Sequence, residues 1–214
     1  MLAAELLRSR IDAGIREAGF VHVQESRSCE EYVALSNALG EIVGRERIAL
    51  RPGAHAYVAK PGPVPLHTDQ PEVELIGWRC ERQDEEDGAS VLFDTQPFLE
   101  RLDQELHAAL RDVHLLTPPL EGGPPTMRWP LLRRTGNGEA LFCSPWVRAE
   151  SPVAAHVNAL EKFREQLSRA IQHASTRIRM APGDILFVDN RRVLHGRGAI
   201  APTSRRVLQR VWIR

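Results

Sequence analysis

Cysteine is scarce in this chain, and net charge is absent. Only 3 cysteines occur in 214 residues, Cys29, Cys80 and Cys143. They lie far apart and form no CxxC pair, which argues against a disulfide framework or a zinc-thiolate site. A reducing cytoplasm suits them. The 28 basic and 28 acidic side chains cancel to a formal charge of zero. No global field would draw in nucleic acid or an anionic membrane. No apolar run approaches the ~20 residues a membrane-spanning helix needs. Residues 1–8 carry charges at Glu5 and Arg8 and lack the apolar core of a signal peptide. Repeats, low-complexity segments and Ser-His-Asp nucleophile motifs are missing. Gly122-Gly123-Pro124-Pro125 precedes no helix and so is no phosphate cradle.

What is there reads as one soluble domain over residues 1–214, with 43% hydrophobic residues to form a core. Leu2, Leu6, Leu7, Ile11 and Ile15 recur at helical spacing, which predicts a helix over 2–18 stopped by Gly19. A short strand is expected at 20–23. A second helix should start after Ser28 and end at Gly40. Residues 47–60 predict two short strands, 48–50 and 56–59, broken by Pro52-Gly53. A turn over 61–65 then delivers the chain to His67. Strands are expected at 73–81 and 91–93, with an acidic turn at 84–88 between them. Residues 97–113 and 153–173 read as helices. Residues 118–125 read as a loop. Residues 129–146 predict a hairpin turning at Thr135-Gly136-Asn137-Gly138. The remainder alternates as strands at 177–180, 185–188 and 206–214. Many short strands with a few outer helices predict a mainly β fold, a jelly roll or double-stranded β-helix of the cupin type.

Chemistry concentrates at two places. In Pro65-Leu66-His67-Thr68-Asp69, residues i and i+2 of a strand face the same side, so His67 and Asp69 can reach one ion. The alternative is a surface turn with a His-Asp hydrogen bond. His195 follows an apolar strand and a polar turn, and Gly196 beside it permits close backbone approach. Its alternative is an ordinary core histidine. Two histidines and one carboxylate with open positions form the ligand set of a non-haem iron(II) oxygenase. Arg206 and Arg210 lie downstream and face the same side of one strand. Guanidinium binds carboxylate through two parallel hydrogen bonds, which suits a dicarboxylate cosubstrate. The alternative for both is a solvated strand face, with Arg210 bridging to Glu72 or Glu74. The four tryptophans Trp78, Trp129, Trp146 and Trp212 read as core or wall residues. Arg128, Arg133, Arg134 and Arg148 read as solvated strand edges or a second anionic contact.

The run Gly183-Asp184-Ile185-Leu186-Phe187-Val188-Asp189-Asn190-Arg191-Arg192-Val193-Leu194-His195-Gly196-Arg197 resembles the C-terminal metal motif of the taurine dioxygenase-like (TauD/TfdA) iron(II)/2-oxoglutarate oxygenases. So does its sequel, Ser204-Arg205-Arg206-Val207-Leu208-Gln209-Arg210. The stretches 19–23 and 35–41 resemble the same family. The likeness is sharp around 65–69, 87–90 and 183–212. It implies His67, Asp69 and His195 as iron ligands and Arg206 on the distal carboxylate of 2-oxoglutarate. It places Ser90 where the family has a threonine hydroxyl for that carboxylate. It places Arg210 where some members meet an anionic substrate. The chain departs from the family in being short, which leaves little to cover the site beyond residues 120–129 and 146–148.

The implied reaction consumes O2 and 2-oxoglutarate, releases succinate and CO2, and hydroxylates an unactivated C–H bond. Asp69 fills a position that a halide would need, which disfavours halogenation. The expected substrate is a small anionic metabolite such as an amino acid. A carrier- or peptide-bound residue in natural-product biosynthesis is the alternative. A cupin-like metal-binding protein without 2-oxoglutarate turnover, and a jelly-roll binding module, are the rivals. Desaturation, epoxidation or cyclisation would use the same residues, and oligomeric state leaves no mark in the sequence.

Overall fold

In the computed structural model, residues 2–54, 56–117, 126–136, 138–150 and 153–214 are described. The expected loop 118–125 lies outside them. The chain opens with helix α1, Leu2–Ala18, which buries Leu7 and Ile11 and stops at Gly19, where φ is 76°. Strand β1, Phe20–Val23, leads to helix α2, Cys29–Leu39. The Ser28 hydroxyl accepts the Glu31 N–H, and the Glu31 carboxylate takes the Ser28 N–H in return. This capping box satisfies two of the donors that a helix start leaves free. Next come β2 (Ile42–Ala49), β3 (Val64–His67), β4 (Leu75–Arg82) and β5 (Ser90–Asp94). Helices α3 (Gln96–Leu99) and α4 (Gln104–Arg111) follow. The small strands are β6 (His114–Leu116), β7 (Arg128–Pro130), β8 (Leu132–Thr135), β9 (Gly138–Leu141) and β10 (Arg148–Ala149). Helix α5 (Ala154–Ala174) precedes β11 (Thr176–Ile178), β12 (Ile185–Asp189), β13 (Val193–Arg197) and β14 (Val207–Ile213).

Two antiparallel sheets carry the architecture. One has the order β1-β12-β4-β14-β2, the other β11-β5-β13-β3. This is the expected double-stranded β-helix. Side chains alternate across each strand, so each sheet has an inner and an outer face. On β12, Ile185 and Phe187 meet α1 and α2, while Leu186 and Val188 enter the space between the sheets. On β14, Val211 and Ile213 face the helices and Leu208 faces inward. The even-numbered positions 208, 210 and 212 thus look into the sandwich. On the second sheet, Leu92 and Val193 look inward, while Phe93 and Leu194 pack with Phe163 and Leu167 of α5. The Tyr32 hydroxyl donates to the Gly77 carbonyl at 2.7 Å and ties α2 onto β4.

Four expectations need correction. Residues 57–59 form a 3-10 turn, not a strand. The carbonyls of Val58, Lys60 and Gly62 turn to the Arg197 guanidinium instead of to a strand partner. The strand before them starts at Ile42, earlier than expected. The expected helix 97–113 is two helices, because the Asp103 carboxylate accepts the Glu105 and Leu106 N–H groups and caps a new one. The hairpin is confined to β8 and β9. Trp129 lies on β7, which pairs with β6 instead.

Candidate active site

The His67 imidazole sits at the end of β3 directly opposite His195 of β13, with ring centroids 4.5 Å apart. Gly196 makes this pairing possible. A Cβ there would lie 2.5 Å from the Val64 carbonyl oxygen. That neighbour is backbone and cannot swing aside. Gly196→Ala should therefore part β3 from β13, at about 1–3 kcal/mol. A Tm lowered by several degrees, with activity lost as the histidines separate, is the expected outcome of a thermal melt and an assay. An unchanged melt would contradict the contact.

Asp69 lies just past β3, in a loop. It therefore reaches the histidines by loop geometry rather than strand alternation. Thr68 pins that loop: its N–H donates to the Cys143 carbonyl at 2.8 Å, and its hydroxyl accepts the Cys143 N–H at 3.1 Å. The Asp69 N–H donates to the Asn190 side-chain oxygen at 2.7 Å. Asp69 Oδ1 then stands 3.3 Å from His67 Nε2 and 3.5 Å from His195 Nε2. One ligand atom from each of the three residues falls within 4.8 Å of the others, the one such cluster found among the described residues.

The donor set fits a metal ion. His67 Nδ1 lies 2.8 Å from the Pro65 carbonyl, so Nδ1 carries a proton and Nε2 is the nitrogen that faces Asp69. Both ring nitrogens of the buried His195 lack a hydrogen-bond partner. Leaving such groups unpaired costs about 1–3 kcal/mol each, a cost that a coordinated ion would remove at one nitrogen. Burial, together with the neighbouring His67, pushes His195 down to about 4, so its ring is neutral at pH 7. Burial would by itself raise Asp69. The two histidines and Arg210 more than offset it and hold the carboxyl well below the usual range. A neutral His195 imidazole and an ionised Asp69 carboxylate are protonation states that a divalent metal requires.

A cavity between the sheets joins this cluster to Ser90, Arg206 and Arg210. Arg206 is 5% exposed, and its Nε donates to the Gln83 side-chain oxygen at 3.0 Å. Among the described residues, no carboxylate lies within ion-pair distance of it. Burial and nearby Arg197 pull it down to about 10, so it stays charged at neutral pH. Arg197 is also buried, but its donors are spent on the Val58, Lys60 and Gly62 carbonyls. The cavity thus holds buried positive charge without its counter-ion, an arrangement suited to an anion.

A family model described as "Taurine catabolism dioxygenase TauD, TfdA family" matches residues 2–212. The chain belongs to this family of iron(II)- and 2-oxoglutarate-dependent dioxygenases. No match was found among curated protein sequences. Among solved structures, an asparagine oxygenase in complex with Fe(II), 2S,3S-3-hydroxyasparagine and succinate has a TM-score of 0.78 at 18% identity, over 98% of this chain and 79% of that one. PvcB from Pseudomonas aeruginosa has a TM-score of 0.73 at 20% identity, over 99% and 81%. The non-heme iron oxygenase OrfP, with Fe, succinate and (3R,4R)-dihydroxy-L-Arg, has 0.74 at 16%, over 99% and 80%. At these identities the likeness establishes the TauD-type fold. No helix among the described residues is long and apolar enough to cross a membrane.

Arg210 is not on a solvated face. It is 8% exposed, donates to Asp69 Oδ2 at 3.1 Å and also pairs with Glu46. Glu74 instead meets Arg191 at 2.8 Å. Sequence reasoning missed Glu46 and Asn190 around the cluster, and read Trp212 and Trp146 only as core or wall, with Trp146 among the residues left to cover the site. Glu46 lies directly opposite Arg210 on β2. Asn190 holds the Asp69 backbone. Trp212 donates its indole N–H to Asp69 Oδ2 at 2.6 Å. The Trp146 ring lies 4.9 Å from that of His67. Only Trp212 left a usable signal, since it stands two residues past Arg210 and must share its face.

Proposed function

We propose that this chain hydroxylates an unactivated C–H bond of a small anionic metabolite, an amino acid before any other. In this reading His67, Asp69 and His195 hold iron(II), and Arg206 with Ser90 holds the distal carboxylate of 2-oxoglutarate. The observation that carries it is Arg206: a buried guanidinium with no carboxylate at ion-pair distance among the described residues, in the same cavity as the metal-capable cluster. Ser90 lies on β5 next to β13, paired with Arg197, and lines that cavity with its hydroxyl group available. Bound iron and 2-oxoglutarate supply the oxidising chemistry with O2, yielding succinate and CO2. The chain's own side chains bind, orient and exclude water. Trp78, 5.1 Å from His195, and Leu92 supply apolar wall between the charged groups.

Arg210 supports an amino acid in particular. Its guanidinium is already neutralised by Glu46 and Asp69. A lone carboxylate arriving there would strand Glu46 beside another anion. An α-amino acid brings both charges, its carboxylate for Arg210 and its ammonium for Glu46. The solved asparagine oxygenase and OrfP complexes, which hold hydroxylated amino acids, favour the same class.

The test is succinate release with iron(II), 2-oxoglutarate and a panel of amino acids beside their amides and N-acetyl derivatives. Stimulation by some free amino acid, and by neither blocked form, is expected. Arg210→Ala should lower the substrate-stimulated release by on the order of 30-fold or more, since removing one partner of a buried charge pair costs ~2–5 kcal/mol. Substrate-independent release should fall far less. Equal loss of both would assign Arg210 to the metal cluster alone.

A further inference from the structure

We infer that Trp212 is a positioning residue: its indole N–H holds the outer oxygen of Asp69, so that the inner oxygen faces the histidines before any metal arrives. This rests on the reading of Asp69 as a metal ligand. The two oxygens of Asp69 are treated differently by the chain. Oδ2 receives the Trp212 indole N–H at 2.6 Å and Arg210 Nη1 at 3.1 Å. Among the described residues, Oδ1 faces His67 and His195 alone, at 3.3 and 3.5 Å. With Oδ2 so occupied, Oδ1 is the oxygen left for a metal, and the carboxylate plane cannot rotate without breaking two charge-assisted hydrogen bonds.

The indole is itself held. It lies opposite Gly44 of β2 in the ladder, where a Cβ would come within 2.7 Å of the ring carbon Cε3. The Arg210 guanidinium carbon is 4.2 Å from the ring centroid. Such stacking is attractive, because the ring face is negative. Arg210 in turn is fixed by Glu46. Trp212 offers a rigid donor with two torsions, packed against both a glycine and a guanidinium. A bulkier residue at 44 or a smaller one at 212 would release Asp69 to reorient.

Partners that orient a metal ligand typically contribute 10- to 100-fold in metal affinity. Arg210 remains when Trp212 is changed, so the lower end is expected. Chelator-stripped protein is titrated with cobalt(II), and thermal melts are recorded alongside. Trp212→Phe keeps the ring and loses the donor. It should weaken cobalt(II) binding about tenfold with the Tm little altered. In an Asp69→Ala background the same change should have no further effect. The inference fails if Trp212→Phe binds cobalt(II) within about twofold of the wild type while Asp69→Ala binds weakly. If Asp69→Ala binds as well as wild type, the assignment of Asp69 as ligand is what fails. Should Trp212→Phe not fold, 15N-tryptophan-labelled wild-type protein carries the test. Four indole signals are expected from the 4 tryptophans, and Trp212 is assigned by Phe variants at the other three. Its N–H should be slow to exchange and should become fast in Asp69→Ala. Equal exchange in both proteins overturns the inference.

Discussion

His195→Ala is expected to yield a folded protein that neither retains iron(II) nor releases succinate. Among the described residues the ring nitrogens make no hydrogen bond, and the Asp69 carboxylate 3.5 Å away keeps Trp212 and Arg210 as donors. The Leu92, Val193 and Leu194 side chains around β13 keep their packing on both faces. Metal binding is another matter. Even loss of a group that merely orients a ligand costs 10- to 100-fold, so loss of one of three ligands should cost ~100-fold or more. Anaerobic iron(II) titration and a succinate assay, with circular dichroism to check the fold, are the measurements. A variant that binds iron(II) and turns over as the wild type does would remove His195 from the centre.

Arg206→Ala should raise the 2-oxoglutarate requirement far more than the substrate requirement. The side chain is buried, and its terminal nitrogens have no carboxylate partner among the described residues. Removing one partner of a buried charge pair costs ~2–5 kcal/mol, on the order of 30- to 4000-fold in affinity. Iron(II) binding without cosubstrate should be preserved, because Arg206 makes no hydrogen bond or ion pair to the side chains of His67, Asp69 or His195. Arg197 cannot take over, since three carbonyls already occupy its donors. An unchanged KM for 2-oxoglutarate would hand the carboxylate to Arg210.

Elements with a local cause were legible in the sequence. The Ser28 cap, the stop at Gly19 and the apolar run of β12 each follow from nearest neighbours, and each appears where expected. The pairing of His67 with His195 was legible as a motif, and the close approach that Gly196 permits is borne out. The misses have long-range causes. Residues 57–59 look like a strand until Arg197, far along the chain, claims the Val58 and Lys60 carbonyls. Glu46 reads as one more charge on an alternating strand. Only the β2–β14 register sets it opposite Arg210. Trp212 shares a face with Arg210, but nothing local distinguishes a packed indole from one whose N–H reaches a carboxylate 143 residues away.

The most direct test is a crystal structure grown anaerobically with iron(II) and 2-oxoglutarate, with data collected at the iron absorption edge. One anomalous peak is expected, bonded to His67 Nε2, Asp69 Oδ1 and a nitrogen of His195. The distal carboxylate of 2-oxoglutarate should lie against Arg206 and the Ser90 hydroxyl, with Trp212 still on Asp69 Oδ2. A peak away from these three residues, or a distal carboxylate seated on Arg210, would contradict the account.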